Sequence, residues 1–288
     1  MGRWGRSKQL VGASWAVLRQ DKELMILPLL SGIAAIAIAA TFLLPVWATA
    51  HGTDASGAST FHNGPVQWVL VFLMYVALAY CTIFFKTALL CGANERMCGG
   101  NPSLSSALAG AGRNAGRILP WAIVSATVSV ILRSLEQRSG LLGRIVIGLV
   151  GMAWTVVTFL VLPILVFEQV GVGDAVKRSA AMLKATWGEN LIVNAGIGLV
   201  TFVLMLPAFA GVAAGAATGT ALGLGTMIVL AVIWVVGVAC WSSALSSVFQ
   251  LALYRYATDG TPPAAFSGID FAGAFRTKQS GVRRLFGS

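Results

Sequence analysis

The residues of this chain that could do chemistry are polar side chains embedded in apolar sequence. They are one lysine, two amides and three hydroxyls: Lys86, Asn194, Ser243, Ser246, Ser247 and Gln250. The last four recur at spacings of three and four residues, which places them on one face of a helix. A lysine inside an apolar run is costly to bury, so it indicates either a functional cation or an ammonium group that reaches a polar boundary.

Two interpretations of this polar face stay open. Neutral polar side chains can hydrogen-bond to neighbouring helices, which contributes about 1 kcal/mol per contact. They can also line a water-filled path for a small solute or a lipid. The first interpretation predicts a closed bundle of helices, and the second predicts a polar cavity that reaches the membrane midplane and is lined by Asn194, Ser243 and Gln250.

Sequence motifs of enzymes and metal sites are absent. The chain has no P-loop, no H-E-x-x-H and no G-x-S-x-G, and no carboxylates are paired at a spacing suited to acid–base chemistry. The spacing of Cys91 and Cys98 fits no zinc pattern, and no histidine is near them. We therefore predict a protein that is not an enzyme and that holds no cofactor and no metal ion.

The composition indicates that these residues lie in a lipid bilayer. Of the 288 residues, 57% are hydrophobic and 10% are charged, whereas soluble domains carry about 25% charged residues. No Asp, Glu, Lys or Arg occurs from Asn190 to Tyr254. A chain of this size cannot bury so much apolar surface in one aqueous core, so hydrocarbon must solvate it. We predict an all-α, polytopic integral membrane protein with a single membrane domain, residues 1–288.

Charge-free apolar runs predict six transmembrane helices, because each span needs about 20 apolar residues. The predicted spans are residues 24–48, 66–90, 118–132, 145–167, 191–212 and 226–254, and they form three hairpins. The last two spans come from one long apolar run that must fold back. We place this turn among the glycines and small residues of 211–225.

The basic residues predict the orientation. The chain has 20 Lys and Arg residues and a formal charge of +10. With six spans, all of them except Arg133, Arg138 and Arg144 lie on the side that holds both termini. Because cytoplasmic connections are enriched in Lys and Arg, we predict a multi-pass protein of the bacterial cytoplasmic (inner) membrane with both termini in the cytoplasm.

Anionic lipid head groups are the predicted partners of this positive charge. The basic residues flank apolar runs and do not form one stripe, so no nucleic-acid partner is predicted. The predicted head-group contacts are basic residues near the cytoplasmic ends of the spans: Arg3, Arg6, Lys8, Lys177, Arg178, Lys184, Arg283 and Arg284.

Short amphipathic segments are predicted on the cytoplasmic side at residues 4–18, 101–117, 174–187 and 264–276. The third is the clearest, because Val176, Ala180 and Leu183 fall on one helical face and Lys177 falls on the other. Helices of this kind lie in the membrane interface.

These segments divide the chain into three similar units at residues 4–92, 101–168 and 174–257, followed by a basic tail at 258–288. Each unit is an interfacial helix followed by a hairpin of two spans, so we predict a parallel internal repeat. The alternative also fits, because basic cytoplasmic loops that begin with Gly and Pro are expected in any protein with six spans.

Two segments resemble known families. Residues 9–31, QLVGASWAVLRQDKELMILPLLS, resemble the opening of a family of uncharacterised prokaryotic six-span membrane proteins. Residues 167–187, FEQVGVGDAVKRSAAMLKATW, are similar to a segment that recurs in the membrane domain attached to some glycerophosphodiester phosphodiesterases. The resemblance covers most of the chain and implies a six-span fold. It implies no catalytic residue, and we expect no phosphodiesterase reaction, since the chain leaves no room for the soluble domain.

The predicted function is a non-catalytic, oligomeric inner-membrane protein that organises lipids or partner proteins. In this prediction the amphipathic helices and the basic tail make the contacts, and the partners are membrane lipids, further copies of the chain and other membrane proteins. The alternative prediction is a channel or permease for a small solute or lipid, which would use Lys86 and the polar face of the last helix.

Overall fold

The computed structural model describes residues 12, 14–15, 21–53, 59–61 and 64–260. A 3₁₀ turn at Lys22–Met25 leads into α1 (Ile26–Ala50), which is followed by β1 (His51–Thr53) and β2 (Ser59–Phe61). The remaining elements are α2 (Pro65–Met97), α3 (Leu104–Arg113), α4 (Ala115–Arg138), α5 (Leu141–Val157), α6 (Val161–Phe167), α7 (Val172–Ala217) and α8 (Ala221–Asp259).

In the part of the chain that the structure describes, six helical segments are long and apolar enough to cross a membrane. They are Glu23–Trp47, Pro65–Met97, Ala115–Arg138, Leu141–Phe167, Val200–Ala217 and Ala221–Asp259. The predicted all-α, polytopic membrane fold is therefore confirmed. The sequence did not predict the short antiparallel hairpin of β1 and β2, which pairs His51 with Phe61 between the first two spans.

The helix boundaries follow local capping chemistry. Pro65 opens α2 at a position that needs no backbone donor, and the Gln67 side chain accepts a hydrogen bond from the Gly64 backbone N–H at 2.8 Å. Ser103 caps α3 by accepting from the Ser106 backbone N–H at 3.1 Å. These contacts satisfy backbone groups that the first helical turn leaves free.

The turn between the last two spans falls inside the predicted range. It consists of Thr218–Thr220, because α7 ends at Ala217 and α8 begins at Ala221. Gly219 has φ of 65°, a left-handed conformation that favours glycine. Thr220 then caps α8 by accepting from the Gly223 backbone N–H at 3.1 Å.

The helix α7 contains two segments that were predicted as separate elements. It has 46 residues, which corresponds to about 69 Å. The predicted amphipathic segment 174–187 and the predicted fifth span are one continuous helix. Among the described residues of this helix, Val200–Ala217 is long and apolar enough to cross a membrane. The predicted segment 264–276 and most of 4–18 lie outside the described residues, and the threefold repeat stays a prediction.

The buried core lies toward one end of the bundle. It gathers Leu24 and Leu27 with Ala88–Leu90 of α2, Leu160–Val166 around α6 and Ala244–Tyr254 of α8. Apolar residues elsewhere on the spans are exposed, for example Ile36 at 72%, Trp68 at 68% and Ile233 at 64%. Hydrocarbon is the solvent that suits this exposed surface.

Candidate functional site

Lys86 of α2 lines a cavity of about 410 Å³ between α1, α2 and α8. The polar residues that line the same cavity are Ser31, Thr82, Ser243 and Ser247, and the rest of the lining is mainly apolar. The structure therefore brings three of the predicted polar residues together: Lys86, Ser243 and Ser247. We call this space the Lys86 cavity.

The Lys86 cavity lies at the depth of the apolar part of α2. Lys86 precedes Asn94 by eight residues, which is about 12 Å along the helix axis. Asn94 begins the polar end of α2, where Arg255 donates to the Asn94 side-chain oxygen. The predicted second span ended at residue 90, whereas α2 continues to Met97, so Lys86 lies about three turns from the end of the helix.

Lys86 has no ion-pair partner among the described residues. The ion pairs there join Arg96 to Asp21, Lys177 to Asp174, Arg178 to Glu168 and Arg255 to Asp259. Glu168 also accepts a hydrogen bond from the Tyr254 hydroxyl at 3.3 Å. No described carboxylate therefore compensates the positive charge of Lys86.

The hydroxyls of the Lys86 cavity differ in whether they are already engaged. Thr82 donates to the Leu78 carbonyl oxygen at 2.9 Å, and Ser247 donates to the Ser243 carbonyl oxygen at 2.9 Å. The Ser243 hydroxyl has no hydrogen-bond partner among the described residues and is exposed. The Ser31 hydroxyl likewise has no hydrogen-bond partner among the described residues, so Lys86, Ser31 and Ser243 are the donors that a ligand could use.

Gln250 lies at a helix contact away from the Lys86 cavity. It is 2% exposed, and its side-chain Nε2 donates to the Phe159 carbonyl oxygen. Phe159 belongs to the break between α5 and α6, within the fourth span. A regular helix would satisfy this carbonyl with the backbone N–H of residue 163, but Pro163 has none. Gln250 supplies the missing donor.

Ser179 of α7 satisfies two more backbone groups of the same break. Its hydroxyl donates to the Val157 carbonyl oxygen at 2.6 Å and accepts from the Leu160 backbone N–H at 3.1 Å. Ser179 and Leu160 are both fully buried. Irregular backbone at membrane depth is tolerated where protein buries it and pairs its polar groups, as here.

The remaining predicted polar residues are Ser246 of α8 and Asn194 of α7. Ser246 is half-buried and does not line the Lys86 cavity. The side chain of Asn194 lies outside the described residues. Two hydrogen bonds between α7 and α8 were not predicted. The hydroxyls of Thr201 and Ser242 are 2.8 Å apart, and the Trp234 Nε1 donates to the Leu204 carbonyl oxygen at 2.6 Å.

The predicted head-group contacts are described in part. Lys177 is exposed and lies 3.9 Å from Asp174, an arrangement that leaves its charge accessible to a membrane surface. Arg178 is paired with Glu168. The other predicted contacts, Arg3, Arg6, Lys8, Lys184, Arg283 and Arg284, lie outside the residues whose side chains the structure describes.

A polar network at the basic end of the bundle was not predicted. Asp21, just before the first span, is buried and pairs with Arg96 at the end of α2. Arg96 also donates to the Asn101 side chain at 2.8 Å. Arg255 joins α8 to the same region through the Asn94 side chain at 2.6 Å. The sequence contains no periodic signal that would pair residues so far apart.

Comparisons with known proteins identify a family without an assigned activity. Residues 65–264 match the family described as "Family of unknown function (DUF6159)". This range is more than half of the chain and contains five of the six spans. No curated protein and no solved structure matches the chain. Within the described residues, no group of three or more His, Cys, Asp or Glu could hold a metal ion.

Proposed function

This chain belongs to DUF6159, a family of unknown function, and we propose that it is a non-catalytic, oligomeric membrane protein that organises lipids or partner proteins. The proposal includes the bacterial inner membrane as its location, with both termini in the cytoplasm. The distribution of the 20 Lys and Arg residues supports that orientation.

The observation that carries the proposal is the role of Gln250. A water-lined path along the polar face of α8 would expose Gln250 and Ser247, but both are buried. Gln250 bonds the backbone of the fourth span, and Ser247 bonds its own helix. Polar residues used in this way stabilise helix contacts, which is the arrangement expected of a closed bundle.

The similarity to the membrane domain attached to some glycerophosphodiester phosphodiesterases is also part of the proposal. Those domains lie beside an enzyme that acts on lipid-derived substrates, so a lipid-organising role would be compatible with the similarity. The exposed Lys177 and the rest of the basic surface would contact anionic head groups, each contributing about 1 kcal/mol.

A channel or permease is the second candidate, favoured by one observation. The Lys86 cavity contains a cation that no described carboxylate pairs with, at the depth of the apolar part of α2, and the exposed residue Ser243 lines the same cavity. Charged residues at this depth commonly mark solute or ion paths. The break between α5 and α6 resembles the discontinuous helices of transporters, although Gln250 and Ser179 satisfy its backbone.

Two measurements on the purified full chain test the proposal. Native mass spectrometry from a mild detergent should give oligomers of the chain that retain bound lipids. Proteoliposomes loaded with small solutes should release them no faster than liposomes that contain the heat-denatured protein. A monomer that mediates rapid flux, with the flux removed by Ser243→Leu, would reject the proposed function and support the permease.

A further inference from the structure

We propose that the Lys86 cavity binds the head group of a monoanionic membrane lipid, with the Lys86 ammonium and the hydroxyls of Ser31 and Ser243 as its donors. The inference rests on the proposed lipid-organising function, and it names the lipid class and the site. The class is defined by a single anionic oxygen group, a phosphodiester or a carboxylate, attached to acyl chains.

Charge is the first argument. An uncompensated ammonium in hydrocarbon is unfavourable, and lysines at such depth normally pair with an anion or reach the interface. No described carboxylate pairs with Lys86. A lipid anion would supply the missing charge through a charge-assisted hydrogen bond, which is stronger than a neutral one.

The number of donors is the second argument. The hydroxyls of Thr82 and Ser247 donate to their own helices, which leaves Lys86 and the hydroxyls of Ser31 and Ser243 to bind a ligand. One cation matches a group with one negative charge, and the two hydroxyls can donate to its oxygen atoms. A phosphomonoester, which carries more charge, would find a single cation among the described lining residues.

The surroundings indicate that the ligand comes from the bilayer. The cavity lies between helices whose neighbouring faces are apolar and exposed, including Ile33 at 57% and Ile36 at 72% on α1. Both residues line the cavity. A lipid could place its anion at Lys86 while its chains cover this surface, which gains about 25 cal/mol per Å² of apolar area buried. A water-soluble anion would gain nothing from that surface.

A lipid-competition experiment tests the site. The purified full chain in detergent is incubated with equimolar phosphatidylglycerol and phosphatidylcholine, and native mass spectrometry counts each lipid on the protein. Wild type should retain phosphatidylglycerol in preference. Lys86→Met should reduce this preference about tenfold, because a charge-assisted hydrogen bond is lost, whereas Lys86→Arg should keep most of it.

Two further variants separate this site from general effects. Arg144→Gln removes one positive charge from an exposed position outside the predicted head-group contacts and should leave the preference nearly unchanged. Gly32→Leu keeps Lys86 and adds a bulky side chain at a residue that lines the cavity, where a Cβ atom meets no atom within 4 Å. It should remove the bound phosphatidylglycerol even if Lys86→Met does not fold.

The outcomes are distinguishable. If Lys86→Met and Gly32→Leu both retain phosphatidylglycerol like wild type, the site is overturned and the lipid-organising function stands. If wild type retains no lipid, the site and the proposed function both fail. If calorimetry shows that inorganic phosphate alone binds and that Lys86→Met removes this binding, the ligand is a free anion and the lipid assignment is wrong.

Discussion

The side-chain amide of Gln250 donates a hydrogen bond to the carbonyl oxygen of Phe159, four residues before Pro163. This contact joins α8 to the break in the fourth span. A proline cannot donate to the carbonyl four residues before it, and an unpaired carbonyl in hydrocarbon costs several kcal/mol. Gln250 therefore allows the fourth span to contain a proline without an unsatisfied backbone group.

Replacing Gln250 should destabilise the protein through this carbonyl. We expect Gln250→Leu to lower the free energy of unfolding by about 1–3 kcal/mol, since the Phe159 carbonyl loses its partner while it stays buried. The measurement is reversible unfolding by sodium dodecyl sulfate in mixed micelles, followed by tryptophan fluorescence.

The matching control is Pro163→Ala, which restores a backbone donor at residue 163. In that background Gln250→Leu should cost clearly less than in wild type, because the Phe159 carbonyl has an alternative partner. A double-mutant cycle reports this difference as a coupling free energy. Equal costs in both backgrounds would mean that Gln250 acts through packing alone.

The buried ion pair of Asp21 and Arg96 predicts a large effect of losing one charge. The Asp21 side chain is 6% exposed and that of Arg96 is 23% exposed. Asp21→Asn should lower the free energy of unfolding by about 2–4 kcal/mol, because it leaves a partly buried guanidinium without its counter-charge.

The same chemical change at Asp259 is the control for this pair. Asp259 lies 3.6 Å from Arg255 and its side chain is 46% exposed. Asp259→Asn should cost less than about 0.5 kcal/mol, as is usual for an exposed ion pair. Comparable losses at both positions would contradict the structural role given to Asp21.

Two glycines of α7 should respond to alanine with opposite signs. A Cβ atom at Gly215 would lie 2.7 Å from the Met227 Cβ and 3.0 Å from the Gly223 carbonyl oxygen. Gly215→Ala should therefore push α8 away and cost about 1–3 kcal/mol.

At Gly211, one turn earlier, a Cβ atom meets nothing within 4 Å. Gly211→Ala should raise the unfolding temperature, since alanine stabilises a helix interior by about 0.5–1 kcal/mol relative to glycine. Differential scanning fluorimetry of the two variants in one detergent checks the signs. Destabilisation by both substitutions would show that Gly211 also lies at a helix contact.

Hydropathy and charge were sufficient to predict the spans. Apolar runs bounded by charges mark where hydrocarbon solvates the chain, so each of the six predicted spans overlaps one of the observed segments, and the turn at Thr218–Thr220 lies within its predicted range. The break between α5 and α6 was not predicted, because Pro163 alone does not show whether a span bends or breaks. That outcome depends on Gln250 and Ser179, which lie on other helices.

The candidate site was predictable in its residues and not in its geometry. The residue types identified Lys86 and the serines of α8, because polar groups in apolar sequence are conspicuous. Periodicity placed Gln250 on the same face as Ser243 and Ser247. However, the packing of α1 and α2 against α8 decides that Ser243 and Lys86 line one cavity. The packing of α8 against the break in the fourth span decides that Gln250 bonds Phe159.

The predicted orientation can be tested with the chain's own exposed thiol. Cys98, at the end of α2 that holds Arg96, is exposed, and the excess of Lys and Arg at that end predicts that it faces the cytoplasm. Gln137, near the end of α4, is exposed at the opposite end of a span.

In a background without Cys81, Cys91 and Cys240, an impermeant maleimide added to intact cells should leave Cys98 unlabelled until the membrane is permeabilised. When Cys98 is also removed, Gln137→Cys should react at once, because it would face the periplasm. Labelling of Cys98 in intact cells, with Gln137→Cys protected, would invert the orientation and place the basic surface outside the cytoplasm.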